Sequence, residues 1–480
     1  MVQLDDDILF LIFEELINKK SLYSCLLVNR IWCVAAVPIL WKNPELLLQY
    51  EKYEKTEKLF NVILLHLSEE SRDDLKNQGI NNLIMETYKR PLFNYINYWK
   101  YLDLYFLERL ISSKKIEKSK VSNVRNEIIK LFINNNTNFI HFSIPQYYQP
   151  QHVFGDELCF AELESFQCDS NTNQDILKGL ARICKSIKKL RFNFDCESTD
   201  ISGFIELIDA QKNLNDVNFI NTLKLNKSFC KLLEELVIKH ADTVQYLRIS
   251  WEPITKFLSY FVNLLCLEVE VPYHIYWNWN NESLSLPNLK ILKARRILSE
   301  ILVDLIKNTV GNLSEVSIFC SGVNDKRLIQ VVYQNCPNLK YFKISLASNV
   351  DILISELENL LNHCQLLNGL IINICDAFNE FNWVKFFEIL AKSSPIGLFK
   401  FKFSSDWIIK LEDVKFFFDN WEGRNSLSLI TNNHNYTFNM KAKQQLEELF
   451  KEYKTKGIVK NYFIGFNGFY TNIYEDFIWT

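Results

Sequence analysis

Glycine is scarce in this 480-residue chain, with 12 copies, and none falls at the spacing of a phosphate-cradling loop. Proline (10) and methionine (3) are rarer still, which excludes collagen-like and Pro/Gly-rich disordered classes. The 12 cysteines contain no Cys-x-x-Cys pair, and the seven histidines form no pair at short helical spacing, so the usual zinc signatures are missing. No apolar run approaches the length of a bilayer span, and Asp5, Asp6 and Asp7 stand where a secretion signal would carry bases. Charge of one sign is also lacking. Lys and Arg number 54 against 57 Asp and Glu, and the lysines are scattered, so no nucleic-acid backbone is expected as the main partner. A chain with these features is expected in the cytoplasm or nucleus, off the membrane, with reduced and mostly buried thiols. Asn-x-Ser/Thr triplets such as Asn135 and Asn312 are then chance occurrences.

What is present is core-forming material: 48% hydrophobic residues against 23% charged. The first 43 residues are the densest example. Leu4, Ile8, Leu9, Ile12, Phe13 and Leu16 lie at helical spacing behind the three aspartates, which suit a helix start. Ser21 opens a second apolar segment (Leu22, Cys25, Leu26, Leu27, Val28), and Trp32 and Trp41 bracket a third. A piece this small cannot be stable alone, so it must lend its apolar face to something else.

The order Leu4, Ile8, Ile12-Phe13, Leu16, Leu26-Leu27-Val28-Asn29-Arg30, Trp32 and Pro38-Ile39-Leu40-Trp41 resembles the F-box motif. The resemblance covers residues 1–43 and implies a substrate-recognition subunit of a Skp–cullin–F-box ubiquitin ligase, docked on a Skp-family adaptor. It carries adaptor contact to Leu4, Ile8, Ile12, Leu27, Pro38 and Trp41, and assigns Phe13, Leu16, Leu26 and Trp32 to the motif's own core. One position departs from the family: its usual proline after the first leucine is Asp5 here. The competing reading is an ordinary helical hairpin capping the rest of the chain.

From residue 139 to 465 a strand signature recurs, apolar at positions one, four and six. Phe139-Phe142-Ile144 and Leu163-Phe166 begin it. Ile187-Leu190-Phe192, Leu214-Val217-Phe219, Val244-Leu247-Ile249, Leu264-Leu267-Val269 and Leu289-Leu292-Ala294 follow. Leu313-Val316-Ile318, Leu339-Phe342-Ile344 and Leu367-Leu370-Ile372 continue it, with looser copies at Ile396-Phe399-Phe401, Leu427-Ile430 and Val459-Tyr462-Ile464. Steps of 20 to 32 residues match the period of leucine-rich repeats. The intervals repeat at three and four, as in Ile176-Leu177-Leu180-Ile183 or Ile354-Leu357-Leu360-Leu361, and so are helical. Strand and helix in alternation demand parallel strands, and so many units at one period favour a solenoid over a doubly wound sheet. The expected fold is α/β: a small all-helical F-box, then a curved solenoid with a parallel sheet on its concave face.

The chain resembles leucine-rich-repeat F-box proteins here, with Leu286-Pro287-Asn288-Leu289 and Cys336-Pro337-Asn338-Leu339 as helix-to-strand corners. The asparagine that many such repeats place after the strand is mostly missing.

Residues 44–138 read as a helical linker that hardens into the first solenoid units. In it, Leu59, Val62, Ile63 and Leu67 form an amphipathic helix, and Ser68–Asp74 is a solvated acidic stretch. Tyr95, Tyr98, Trp99, Leu102 and Tyr105-Phe106 form an aromatic-rich helix, and Lys114–Lys120 an exposed loop. Residues 466–480 read as a tail capping the last repeat, through Phe466, Phe469, Tyr470, Tyr474, Phe477 and Trp479.

No catalytic constellation can be assembled, and no cofactor or metal is expected. Cys25, Cys33, Cys336 and Cys364 fit packing, and His240 and His363 fit helix ends. In the family reading the chain contributes proximity between a substrate and the ubiquitin-transfer machinery. An unidentified protein substrate would meet strand residues between the buried positions: Arg191, Tyr246, Arg248, Trp251, Glu268, Glu270, Lys293, Tyr341 and Lys343. The cluster Tyr273, Tyr276, Trp277 and Trp279 is either tucked over the solenoid or an exposed patch. A repeat scaffold outside any ligase is the alternative function.

Overall fold

A computed structural model describes residues 6–16, 19–48, 53–83, 91–134, 136–145, 158–194, 200–221, 226–271, 284–320, 325–346, 351–374, 381–405, 409–433 and 440–465. Leu4, the cluster Tyr273 to Trp279, Asn135 and the tail 466–480 lie outside them. The described residues contain sixteen α-helices and fourteen strands, in two compact units, 1–216 and 217–480.

The first unit opens with three helices, α1 (Asp6–Glu14), α2 (Lys19–Cys25) and α3 (Arg30–Trp41). Asn29 starts α3 by accepting the Trp32 amide on Oδ1 at 2.9 Å, the cap its side chain favours. Next come α4 (Tyr53–Leu64) and α5 (Glu69–Asn77). The acidic stretch is thus helical: Ser68 Oγ accepts the Ser71 amide at 3.0 Å, and Glu69 and Glu70 meet the dipole. Only Leu75 of α5 is buried.

The aromatic stretch near residue 100 is not one helix. It splits into a 3-10 turn (Tyr95–Tyr98), strand β1 (Tyr101–Asp103) and helix α6 (Leu104–Ser112). The cause is Asp103, whose Oδ1 accepts the Phe106 amide at 2.9 Å and forces a helix start there. Upstream of it the burial alternates around Leu102. Helix α7 (Val121–Phe132) and strands β2 (His141–Ser143) and β3 (Ser165–Asp169) follow. Helix α8 (Gln174–Ile183), strand β4 (Lys189–Phe194) and helix α9 (Ser202–Asp209) complete the unit. Strands β1 to β4 pair in parallel, in chain order.

The second unit begins at Val217, one residue into β5 (Asp216–Asn221), with α10 (Lys227–Ile238), β6 (Tyr246–Ile249), β7 (Cys266–Glu270) and β8 (Ile291–Arg295). It continues as α11 (Ser299–Lys307), β9 (Glu315–Cys320), α12 (Asp325–Asn335), β10 (Tyr341–Leu346), α13 (Asp351–His363) and β11 (Gly369–Ile374). Helix α14 (Trp383–Ser393), β12 (Lys400–Ser405), α15 (Leu411–Asp419), β13 (Leu427–Asn433), α16 (Met440–Thr455) and β14 (Val459–Gly465) close it. Its strands also lie in chain order, and every pair from β6 onward is parallel.

Each unit is therefore built of strand–helix repeats. Positions one, four and six of every clear copy are buried, from Phe139, Phe142 and Ile144 to Leu367, Leu370 and Ile372. They face the helices: Phe192 stacks on Phe204 of α9 at 3.7 Å, and Phe401 meets Phe417 of α15 edge-on at 5.9 Å. The copy expected at Ile396-Phe399-Phe401 is shifted by two residues. Ile396 is 87% exposed, and the buried set is Leu398, Phe401 and Phe403. Buried Pro395 sets the turn, with the Leu398 amide donating to its carbonyl at 3.0 Å. Gly397 permits it, because a Cβ there would lie 2.9 Å from Asn368 Oδ1. In β13 the buried residues are Leu427, Leu429 and Thr431, with Ile430 half-buried, beside a register shift at Leu427/Ser428.

An asparagine ladder does exist, but before the strand. Asn263, Asn288, Asn312, Asn338 and Asn425 each donate Nδ2 to a carbonyl of the preceding repeat (Asp242, Val262, Pro287, Gly311 and Ile396), at 2.7 to 3.2 Å. These bonds satisfy corner carbonyls that neither strand nor helix can reach.

Candidate functional site

Two surfaces carry the residues singled out above. The first is on the three-helix head. Its core is Leu9, Phe13, Leu22, Cys25, Ala35, Ala36 and Leu40, with Leu16, Leu26, Ile31, Trp32, Ile39 and Trp41 packed around it. Trp32 sets its edge on Phe13 at 5.2 Å. Helical geometry then turns Ile8, Leu11 and Ile12 together out of that core, and they are exposed, Leu11 to 63%. Leu27, at 88%, and Val28 join them from the turn after α2, with Tyr23 and Val34 also exposed. So many large apolar side chains on about forty residues exceed the scattered exposure of an ordinary surface.

Of the residues given adaptor contact, Ile8, Ile12 and Leu27 face solvent, and Leu4 is outside the described residues. Pro38 and Trp41 are only half-exposed. Trp41 turns into its own chain and stacks on Tyr95 at 4.3 Å, and Tyr95 takes the edge of His66 at 5.7 Å. Burial there pushes the His66 pKa down to about 4. The Lys100 amide donates to the Lys42 carbonyl at 2.9 Å, and Arg109 lies 3.6 Å from Glu45. Burial raises the Glu45 pKa, helped by Asp103 and opposed by Arg109. Leu11, Tyr23, Val28 and Val34 were missed as surface residues; Leu11 was findable, being one turn from Ile8.

The second surface is the strand face turned away from the helices. In the first unit Arg191 is exposed on β4. In the second unit Tyr246 is exposed to 39% at the start of β6. Register sets Arg248 beside Glu268, Glu268 beside Lys293, and Glu270 beside Arg295. Arg248 reaches Glu268 at 3.2 Å and Glu270 at 3.0 Å, Arg295 and Arg296 approach Glu270 at 3.7 and 3.9 Å, and Lys293 reaches Glu315 at 3.5 Å. Three of the expected contact residues, Arg248, Glu268 and Glu270, thus form one ion-pair network with Arg295 and Arg296, and Lys293 pairs with Glu315. Cross-strand pairs of this kind each contribute about 0.2–1 kcal/mol. Arg296, at φ 60°, donates Nη1 to the Val271 carbonyl at 2.8 Å.

Two expected surface residues are not on the surface. Trp251 is 4% exposed and donates Nε1 to Glu234 at 3.0 Å. The step between Val244 and Leu264 is the shortest in the chain, too short for an α-helix, so its polar backbone needs another partner. Glu234 of α10, itself fully buried, supplies it, accepting from the amides of Ile254 and Thr255, both at 2.7 Å, and from Thr255 Oγ1 at 2.6 Å. Trp251 is drawn in with that loop. Lys343 is 6% exposed on β10, flanked in register by Ser317 and Ile371. Tyr341 remains half-buried, with Lys400 Nζ 5.9 Å from its ring centre.

Among the described residues no group of three His, Cys, Asp or Glu is placed to hold a metal. Burial pushes the Cys184, Cys230, Cys336 and Cys364 thiols up to about 12 and Cys168 well above its usual value, so these thiols are packing groups. His363 ends α13 with Nδ1 2.7 Å from the Asn359 carbonyl. No helix among the described residues is long and apolar enough to cross a membrane. Compared with protein-family models and with curated proteins, the chain matches none.

Proposed function

We propose that this chain is the substrate-recognition subunit of a Skp–cullin–F-box ubiquitin ligase, the head docking on the Skp-family adaptor and the strand–helix repeats holding a protein substrate. The observation that carries the reading is a head with its own core that still leaves Ile8, Leu11, Ile12, Leu27 and Val28 in water. A helical cap serving only its own chain would turn such residues inward. In this reading the chain performs no chemistry; it brings a captured substrate to the charged ubiquitin carrier.

The decisive measurement is co-purification with a Skp adaptor. Parent protein is expected to retain it, and Ile8→Asp with Ile12→Asp to lose more than about a hundredfold in affinity, since each buried isoleucine contributes about 1.5–3 kcal/mol. Circular dichroism should show the repeats still folded. Full adaptor binding by the double variant would falsify the assignment. A second reading, a repeat scaffold outside any ligase, is favoured by Asp5 in place of the motif's proline and by the inward stacking of Trp41. It predicts no adaptor binding by the parent.

A further inference from the structure

The second unit has one edge along which each repeat turns into its strand. At corner after corner an apolar residue is left outside the core: Val262, Pro287, Val310, Pro337, Leu366 and Ile396 precede β7 to β12 in turn. All are exposed except half-buried Pro287, with Val310 at 73% and Ile396 at 87%. Neighbouring corners are tied together. Asn288 Nδ2 donates to the Val262 carbonyl, Asn312 to that of Pro287 and Asn338 to that of Gly311, so these carbonyls need no outside donor. The strands that follow pair in order from β7 to β12, which continues the row through Leu366 to Ile396.

The charge beside the row is of one sign. The corner segments 260–265, 285–290, 307–314, 335–340, 363–368 and 392–399 contain Lys290, Lys307, Lys340 and Lys392, all exposed, and no aspartate or glutamate. Lys307 and Lys392 lie in the last turns of α11 and α14 and suit those helix dipoles. Lys290 and Lys340 stand just ahead of β8 and β10, where no helix end accounts for them. The Ser314 amide donates to the Lys290 carbonyl and the Lys340 amide to that of Ser314, both at 2.8 Å, so the two lysines share one cross-strand row. Val310 adds strain. Its φ is 55°, beside Gly311 at 79°, in the left-handed region that suits Asn or Gly and not a β-branched residue. Being exposed, that valine gains little packing from its own chain in return.

We infer that this edge receives an amphipathic helix of a partner protein, apolar along the side laid on the row and acidic beside it. Paired strands stand about 4.8 Å apart, so the row steps once per strand at close to the 5.4 Å or so of one helical turn. Alternate side chains of an extended peptide, about 6.6–7 Å apart, fit that step less well. Six corners span about 24 Å, the length of a helix of about 16 residues. Lys290 and Lys340, two strands apart, match carboxylates two turns apart on that helix. A bilayer surface also takes apolar residues beside lysines, but it favours a broad face of Trp, Phe and Leu, and this row offers one residue per repeat. The inference goes beyond the ligase reading and does not rest on it.

The test is fluorescence polarisation of the full chain with a labelled helical peptide of about 18 residues, leucine at every third or fourth position and glutamate flanking that stripe. A peptide of the same composition with the stripe scrambled, and vesicles of phosphatidylserine and phosphatidylcholine, serve as comparisons. Leu366→Ser with Ile396→Ser, both on the surface, is expected to weaken peptide binding more than about tenfold and leave the denaturant midpoint unchanged. Lys290→Gln with Lys340→Gln should weaken it about threefold to tenfold at low salt, and Lys231→Gln with Lys385→Gln, on the exposed sides of α10 and α14, less than about twofold. The Ile8→Asp, Ile12→Asp protein should bind the peptide as the parent does. No binding by the parent, equal binding of the scrambled peptide, or full binding by the Leu366, Ile396 variant would each overturn the inference. So would equal weakening by the two lysine pairs, loss of binding in the head variant, or vesicle capture that the Leu366, Ile396 variant loses while its peptide binding stays.

Discussion

The head and the repeats use the same kind of apolar residue at the same kind of spacing, with opposite outcomes. In the repeats, signature residues such as Leu190, Phe342 and Leu370 vanish into cores built from neighbouring copies. In the head, Leu9 and Phe13 are covered, but Ile8, Ile12 and Leu27 are not. Periodicity tells which residues share a face; it does not tell what lies opposite. A repeat takes its cover from a neighbouring copy, whereas the three-helix head has no copy of itself packed against Ile8, Ile12 and Leu27 among the described residues. The sharpest way to break this contrast is to truncate one residue of each kind. Phe403 contacts Trp383, Phe386, Phe387 and Phe401 at ring distances of 5.5 to 5.8 Å. Phe403→Ala is expected to cost about 3–5 kcal/mol, read as a fall in the denaturant midpoint. Leu27→Ser should stay within about 0.5 kcal/mol while weakening adaptor capture. Equal destabilisation by the two would mean that the head surface is covered in solution.

A second difference lies in how the two regions treat polar groups. The head leaves its turn at Leu27, Val28 and Asn29 to water, but the repeats bury a carboxylate, Glu234, to hold a loop that the shortest repeat cannot make helical. Glu234→Leu would strand the Trp251 indole and two backbone amides in the interior. The expected cost is about 2–4 kcal/mol, accompanied by a shift of Trp251 emission. Glu234→Gln, which keeps an acceptor, should cost less than half of that. A neutral result with Glu234→Leu would show that the loop finds other partners.

Most of the fold was legible in the sequence, because a repeated one-four-six pattern is read many times over. Single errors, such as the two-residue slip at Ile396, leave the architecture intact. Less was legible where one residue decides a local outcome. Asp103 cuts a helix out of an aromatic run, and Glu234 pulls Trp251 inward from another element. Neither shows up as a period. Strand alternation rightly set Arg248, Glu268, Glu270 and Lys293 on one face, but their mutual pairing depends on cross-strand register, which no single strand encodes. Trp41 illustrates the same limit: a resemblance to the F-box motif implies an adaptor contact, while Tyr95, more than fifty residues on, takes its ring.

The smallest expected effect concerns where the head joins the first repeat of its own unit. His66 packs against Tyr95, which stacks on Trp41, and its burial favours the neutral ring down to about pH 4. In the unfolded chain the same ring titrates near 6.5, so between about 6.5 and 4 the unfolded state binds more protons than the folded one. Stability must therefore be complete above pH 6.5 and fall as the pH drops toward 4. His66 is only partly buried, so solvent screening limits the loss to about 1–2 kcal/mol. His141, whose pKa burial also lowers, adds a slope of the same sign. His66→Phe should remove part of the slope and leave the His141 part. It should also keep the ring contact with Tyr95, so that adaptor capture at pH 7 is unchanged. An unaltered melting-temperature profile between pH 7 and 4 in that variant would show that the histidine is already hydrated, and that the Trp41–Tyr95 stack is looser than its geometry implies.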